Sequence, residues 1–266
     1  MSEVIVVTSG KGGVGKTTTT ANIGAGLAML GHKVVLVDAD TGLRNLDVVL
    51  GLENRIVYDL TNVINEECRL RQAIIKDKRF EGLHLLPTAQ TKDKSAVTPE
   101  SMQKLCTELK EMFDYVIIDC PAGIEQGFMS AVAAAGKAIV VTTPEVAAVR
   151  DADRVIGLLE SKVGIKDPKL IVNRLRTKMV RSGNMMSVDD IVDILAIDLL
   201  GVIPEDEKIV ISTNRGETVV DNEHSLSGKA FKNIVWRILG EPVPLLDLQD
   251  EGGFLSRLRK FIGLSN

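Results

Sequence analysis

Seven short apolar runs punctuate the chain: VIVVTSG (4–10), KVVLVDAD (33–40), GLHLLP (82–87), DYVIIDCP (114–121), KAIVVTTP (137–144), KLIVNRL (169–175) and LLGVIPED (199–206). Between them lie stretches with apolar residues every three or four positions. These are KTTTTANIGAGLAML (16–30), PESMQKLCTELKEMF (99–113), EVAAVRDADRVIGLLESK (145–162), SVDDIVDILA (187–196) and SLSGKAFKNIVWRILG (225–240). Near-continuous apolar strands alternating with amphipathic helices predict an α/β fold, a mostly parallel twisted sheet with helices on both faces. No repeat or linker interrupts residues 1–240, so we expect one domain there.

The pattern changes after it. EPVPLLDLQDEGG (241–253), with two prolines, acidic residues and a glycine pair, is expected to be a tether. FLSRLRKFIGLSN (254–266) is amphipathic. Drawn as a helix at ~100° per residue, Phe254, Leu255, Leu258, Phe261 and Ile262 share one face, while Ser256, Arg257, Arg259 and Lys260 fill the rest. So short a helix is marginal in water. We expect residues 254–263 to be disordered in the monomer and to fold on an anionic membrane.

Composition narrows the function. With 45% hydrophobic and 26% charged residues, the chain can bury a sizeable core, and a net charge of −4 gives no general attraction for nucleic acid. Cys68, Cys106 and Cys120 are far apart, and His32, His84 and His224 are isolated, which argues against a zinc site or disulfide framework. The opening MSEVIVVTSG runs straight into a strand, so no secretory leader is expected. No segment reaches the ~20 uninterrupted apolar residues that span a bilayer. A cytoplasmic protein is the expectation.

GKGGVGKT (10–17) is the sharpest chemical signal. It fits GxxxxGK[ST] and lies between an apolar strand and a helix, the context a phosphate loop requires. The glycines let backbone N–H groups turn toward phosphates, and the helix N-terminus adds partial positive charge. Gly10, Lys11, Gly12, Gly13, Val14, Gly15, Lys16, Thr17 and the following Thr18 form the expected nucleotide cradle. Lys16 reaches the β- and γ-phosphates and Thr17 offers a hydroxyl to Mg²⁺. A guanine reader would carry Asn-Lys-x-Asp; VNRLR has Asn173 but no aspartate three residues on, which favours ATP.

The basic motif does not ask for Lys11. KGGVGKT (11–17) resembles the loop of the deviant Walker A family of P-loop ATPases, the MinD/ParA family, and the resemblance extends over essentially the whole chain. It is carried also by DTGLRNLDVVLGLENRIVYDL (40–60), LPTAQTKDK (86–94), DCPAGIEQGF (119–128), TTPEVAAVRDADRVIG (142–157) and GVIPEDE (201–207). These stretches are closest to the family's bacterial division-site branch.

The resemblance implies a homodimer when ATP is bound, with Lys11 crossing the interface to the partner's phosphates. VDADTGLRNLD (37–47) resembles switch I, which implies Asp38 near the metal and Asp40 orienting the attacking water. VIIDCPAG (116–123) resembles switch II, which implies that Asp119 holds Mg²⁺ through water. Asn173 and Pro204 match positions that frame adenine.

The implied partners are a division inhibitor (MinC) that binds the ATP dimer, an activating or topological factor (MinE or an equivalent), and the cytoplasmic face of the inner membrane. For the inhibitor we nominate Arg150, Asp151 and Asp153, in VRDADR (149–154), read as a helix start. The alternative is a DNA-binding partition ATPase using NRLRTKMVRSG (173–183), read as a short surface loop. The apolar stripe of the tail fits lipid better than DNA.

Overall fold

Valine and isoleucine dominate the apolar runs, and each run forms a strand in the computed structural model, which describes residues 2–41, 44–89, 97–246 and 248. The strands are β1 (Glu3–Thr8), β2 (Val34–Asp38), β3 (Ile75–Lys76), β4 (Leu83–Leu86), β5 (Tyr115–Asp119), β6 (Lys137–Thr142), β7 (Lys169–Leu175) and β8 (Leu199–Pro204). They make one sheet in the order β3-β4-β2-β5-β1-β6-β7-β8. All neighbours are parallel except β3, a two-residue antiparallel edge that the apolar pattern does not announce.

The helices are α1 (Lys16–Met29), α2 (Leu46–Leu50), α3 (Leu60–Ile64), α4 (Leu70–Ala73), α5 (Pro99–Lys110) and α6 (Gln126–Val132), followed by α7 (Val146–Leu158), α8 (Thr177–Arg181), α9 (Val188–Leu195), α10 (Glu207–Asn214) and α11 (Leu226–Ile238). Successive side chains of a strand point to opposite faces, so each strand feeds two cores. Val4 and Val6 pack with Met102 and Leu105 of α5, Phe128 of α6 and Ala152 of α7. Ile5 and Val7 pack with Ile23 and Leu27 of α1 and with Phe231 and Ile234 of α11. Both faces are covered, so the strands can be apolar throughout. Cys106 and Cys120 lie within the core, where burial pushes each thiol up to about 12.

Two sequence expectations shift. α7 begins at Val146, so VRDADR (149–154) is not a helix start; Glu145 is the N-cap and the segment begins one turn later. NRLRTKMVRSG is not wholly loop, because Thr177–Arg181 winds into a short helix. The first residues of the proposed tether run back along α11. Arg237 Nε donates to the Val243 carbonyl at 2.7 Å, and Leu248 lines one cavity with Pro204 and Leu226. Phe254, Leu255, Leu258, Phe261 and Ile262 lie outside the described residues. Among the described residues no helix is long and apolar enough to cross a membrane.

Candidate functional site

In a parallel sheet the loops after the strands meet at the carboxyl ends, where ligands bind. Here the loops after β1, β2, β5 and β6, with the end of β7, gather around the start of α1. Gly15 is the N-cap of α1 with φ 99°, a left-handed conformation that suits glycine, and it provides no side chain to bond the helix's first N–H groups. The first turn of α1 contains no acidic residue. Those open N–H groups and the helix dipole make a cradle for an anion.

The loop is pinned from three sides. Val14 is buried in the core, and Ser9 Oγ donates to the Lys11 carbonyl at 2.8 Å. Gly10 presses against α7, where a Cβ would lie 2.2 Å from the Asp151 carbonyl carbon. Gly12 and Gly13 stay exposed at the crest, with Gly13 at φ 79°. Thr17 and Thr18 are half-buried on the first turn, and the Thr18 carbonyl accepts from Asn22 Nδ2 at 2.8 Å.

Lys16 is the first residue of α1 and only 7% exposed. Below it, Asp38 and Asp119 end neighbouring strands as register partners, and both are buried. Asp119 takes the Thr17 hydroxyl, and Thr20 Oγ1 lies 3.4 Å from its Oδ1. Burial raises the Asp119 carboxyl to about 6, against the lowering effects of the Thr17 hydroxyl and the Lys16 charge. Burial, then the charge of Asp119, holds Asp38 well above the ordinary carboxylate range. The backbone N–H of Asp40 donates to Asp38 Oδ1 at 3.0 Å, which places Asp40 beside the pair.

This donor set of one hydroxyl and two carboxylates fits Mg²⁺, a hard ion that prefers oxygen and keeps much of its shell as water and phosphate. Among the described residues no group of three or more His, Cys, Asp or Glu side chains could hold a metal alone.

The other predicted residues divide. Lys11, half exposed, lies 3.5 Å from Glu145 at the N-cap of α7. The sequence reading missed Glu145, which no local signal marks. Pro204 closes β8 and lines a cavity of about 450 Å³ with Leu175, Arg176, Glu205 and Leu226. Asn173 lies apart from that cavity: its amide sits under the phosphate loop, with Nδ2 donating to the Val14 carbonyl at 2.7 Å. Arg176 clamps Glu205 through two guanidinium N–H groups, one at 2.7 Å. On α7, Arg150 and Asp153 are exposed, whereas Asp151 is half-buried and 3.5 Å from Arg154.

A further residue that the sequence reading missed is Asn22. Its Oδ1 accepts from Val219 and Val220 N–H groups at 2.8 and 2.9 Å, fastening α1 to the segment before α11. An asparagine inside an otherwise small, apolar helix was the available signal, since it is a poor helix former.

Comparison with known proteins agrees with this geometry. A family model described as an AAA domain matches residues 2–166. The septum site-determining protein MinD of Bacillus subtilis (strain 168) is 54% identical over 266 residues, 99% of each chain. The MinC:MinD cell division protein complex of Aquifex aeolicus matches at TM-score 0.85 and 51% identity, covering 92% of this chain and 98% of that one. The septum site-determining protein MinD complexed with Mg-ADP from Pyrococcus horikoshii OT3 matches at TM-score 0.81 and 33% identity, covering 90% and 96%. With this identity sustained over its full length, the chain belongs to the MinD family of septum site-determining proteins, within the deviant Walker A P-loop ATPases.

Proposed function

We propose that this chain is a Mg²⁺-dependent ATP hydrolase acting as a membrane-associated switch in division-site placement. The observation that carries this reading is the buried Lys16 between an acid-free helix N-terminus and the Asp38–Asp119 pair. A buried cation, open N–H groups and two carboxylates suit a polyphosphate with its metal. They have no evident purpose without one.

Lys16 and the loop N–H groups hold the phosphates. Thr17 would hold the ion, with Asp38 and Asp119 behind it. Mg²⁺ bound there would neutralise charge developing on the phosphates. Asp40 orients water for attack. Lys11 leaves Glu145 and stabilises charge on the phosphates of a second copy, as an arginine finger does. An exposed ion pair is worth at most ~1 kcal/mol, so leaving it costs little.

Hydrolysis sets the lifetime and location is the output. The ATP dimer binds the cytoplasmic face of the inner membrane through residues 254–266 and recruits the division inhibitor MinC. Turnover, accelerated by MinE or an equivalent factor, releases it. The MinC:MinD complex of Aquifex aeolicus supports that partner. Arg150, Asp151 and Asp153 stand on the helix that presses against Gly10, so a partner bound there would feel the state of the loop.

Burying five large side chains yields at most ~1.5–3 kcal/mol each, less the cost of ordering, and three cations add ~1 kcal/mol apiece on an anionic leaflet. One tail therefore binds weakly. Two on a dimer gain avidity of ~10²–10⁴-fold.

Co-sedimentation with anionic liposomes and with DNA, each with ATP and with ADP, tests the reading. ATP-dependent pelleting with liposomes alone supports it. ATP-dependent pelleting with DNA alone would replace it with a partition ATPase.

A further inference from the structure

The adenine-framing role that the resemblance gives Asn173 does not account for where its side chain is spent. Asn173 is 5% exposed, near the carboxyl end of β7. Its Nδ2 donates to the Val14 carbonyl across 159 residues of sequence. Its Oδ1 accepts the N–H of Arg174 at 2.9 Å. Arg174 has φ 56°, and the pairing of β7 with β8 slips between Val172 and Leu175. A non-glycine residue in the left-handed region is strained. Arg174 falls within that slip, directly after Asn173.

The fit against the loop leaves no slack. A Cβ added to Gly15 would lie 2.3 Å from Asn173 Nδ2. Gly15 is the residue whose left-handed φ aims the first N–H groups of α1. The amide thus sits directly beneath the turn that shapes the anion cradle, bonded to the residue before it.

We propose that Asn173 is a positioning residue for the phosphates: it braces Val14 and Gly15 so that the loop keeps its binding shape whether or not a base is present. This rests on the nucleotide reading of the site and adds a role that adenine recognition does not include. Losing one buried hydrogen bond and the support under a turn should weaken phosphate binding by about 5- to 20-fold.

The test compares ATP with inorganic tripolyphosphate, which has no base, by calorimetric titration with Mg²⁺ on the wild-type full chain, Asn173→Ala and Asn173→Asp. Asp keeps the volume but faces the Val14 carbonyl with no donor. Bracing predicts that both variants bind at full stoichiometry, with Kd raised by a similar factor for ATP and for tripolyphosphate. A rise for ATP alone would overturn the inference and leave Asn173 a base reader. A lower stoichiometry with unchanged Kd would overturn it as well, since that is what a merely unstable protein shows. Wild-type protein that bound neither ligand would remove the nucleotide reading and this inference together, whereas wild-type binding with unchanged variants removes this inference alone.

Discussion

Asp38 and Asp119 stand as register partners on adjacent parallel strands, two buried acids at the floor of the phosphate loop. Burial holds both carboxyls up, Asp119 to about 6; the charge of Asp119 further raises Asp38, and the charge of Asp40 raises both. The charge of Lys16 offsets only part of that cost at Asp119.

That cost has a pH signature. A carboxyl raised on folding binds more protons in the native than in the unfolded state, so stability is greater below the unfolded value near 4 and is lost as pH rises toward about 6. Asp119→Asn keeps the shape and removes the ionisation. The nucleotide-free variant should be more stable than wild type at pH 7, by up to ~3 kcal/mol, with the gap narrowing as pH falls below about 6 and closing only below the unfolded value near 4. Thermal unfolding across that range checks it; a variant less stable at pH 7 would contradict the ionisation argument.

Lys16 and Asp40 should separate binding from turnover. Lys16→Ala removes the buried counter-charge, and nucleotide binding or hydrolysis should be lost by a factor of about 10² or more. Asp40→Ala should keep ATP binding and dimerisation while hydrolysis stops. Steady-state phosphate release beside an equilibrium binding titration distinguishes them. Normal turnover in Asp40→Ala would remove the switch I assignment.

Lys11 is paired with Glu145 in this monomer, through side chains that are roughly half exposed. Lys11→Ala should change stability by less than ~0.5 kcal/mol and still bind one nucleotide per chain. It should fail to dimerise with a non-hydrolysable ATP analogue, as light scattering would show. A Lys11→Ala protein that dimerises normally would leave this lysine as a solvated loop residue.

Asn22 makes a stability prediction independent of the chemistry. Asn22→Ala strands two buried N–H groups, those of Val219 and Val220, and frees the Thr18 carbonyl. The loss should be ~2–4 kcal/mol, read as a lower urea midpoint with unchanged m. A loss below about 0.5 kcal/mol would mean that water replaces the amide.

What the sequence made legible follows from what each feature needs. A strand buried on both faces needs an unbroken apolar run, so β1, β2 and β4 to β8 could be read directly. β3 has two residues, Ile75 and Lys76, too few for any period. α2, α3 and α4 have at most five residues each and were missed for the same reason. The loop was legible because phosphate binding demands glycines and a lysine at fixed spacing within ten residues. The contacts that hold it are not: Asn173 with Val14, Asp151 with Gly10, and Lys11 with Glu145 join residues more than a hundred positions apart. Only the folded sheet order brings them together.

The membrane switch is tested most directly by removing residues 254–266 and measuring two properties of the same protein. With ATP, full-length chain should dimerise and pellet with anionic liposomes, and with ADP it should do neither. The truncated chain should dimerise with ATP as before, by light scattering, and stay in the supernatant with liposomes. ATP-dependent pelleting of the truncated chain with anionic liposomes would contradict the switch.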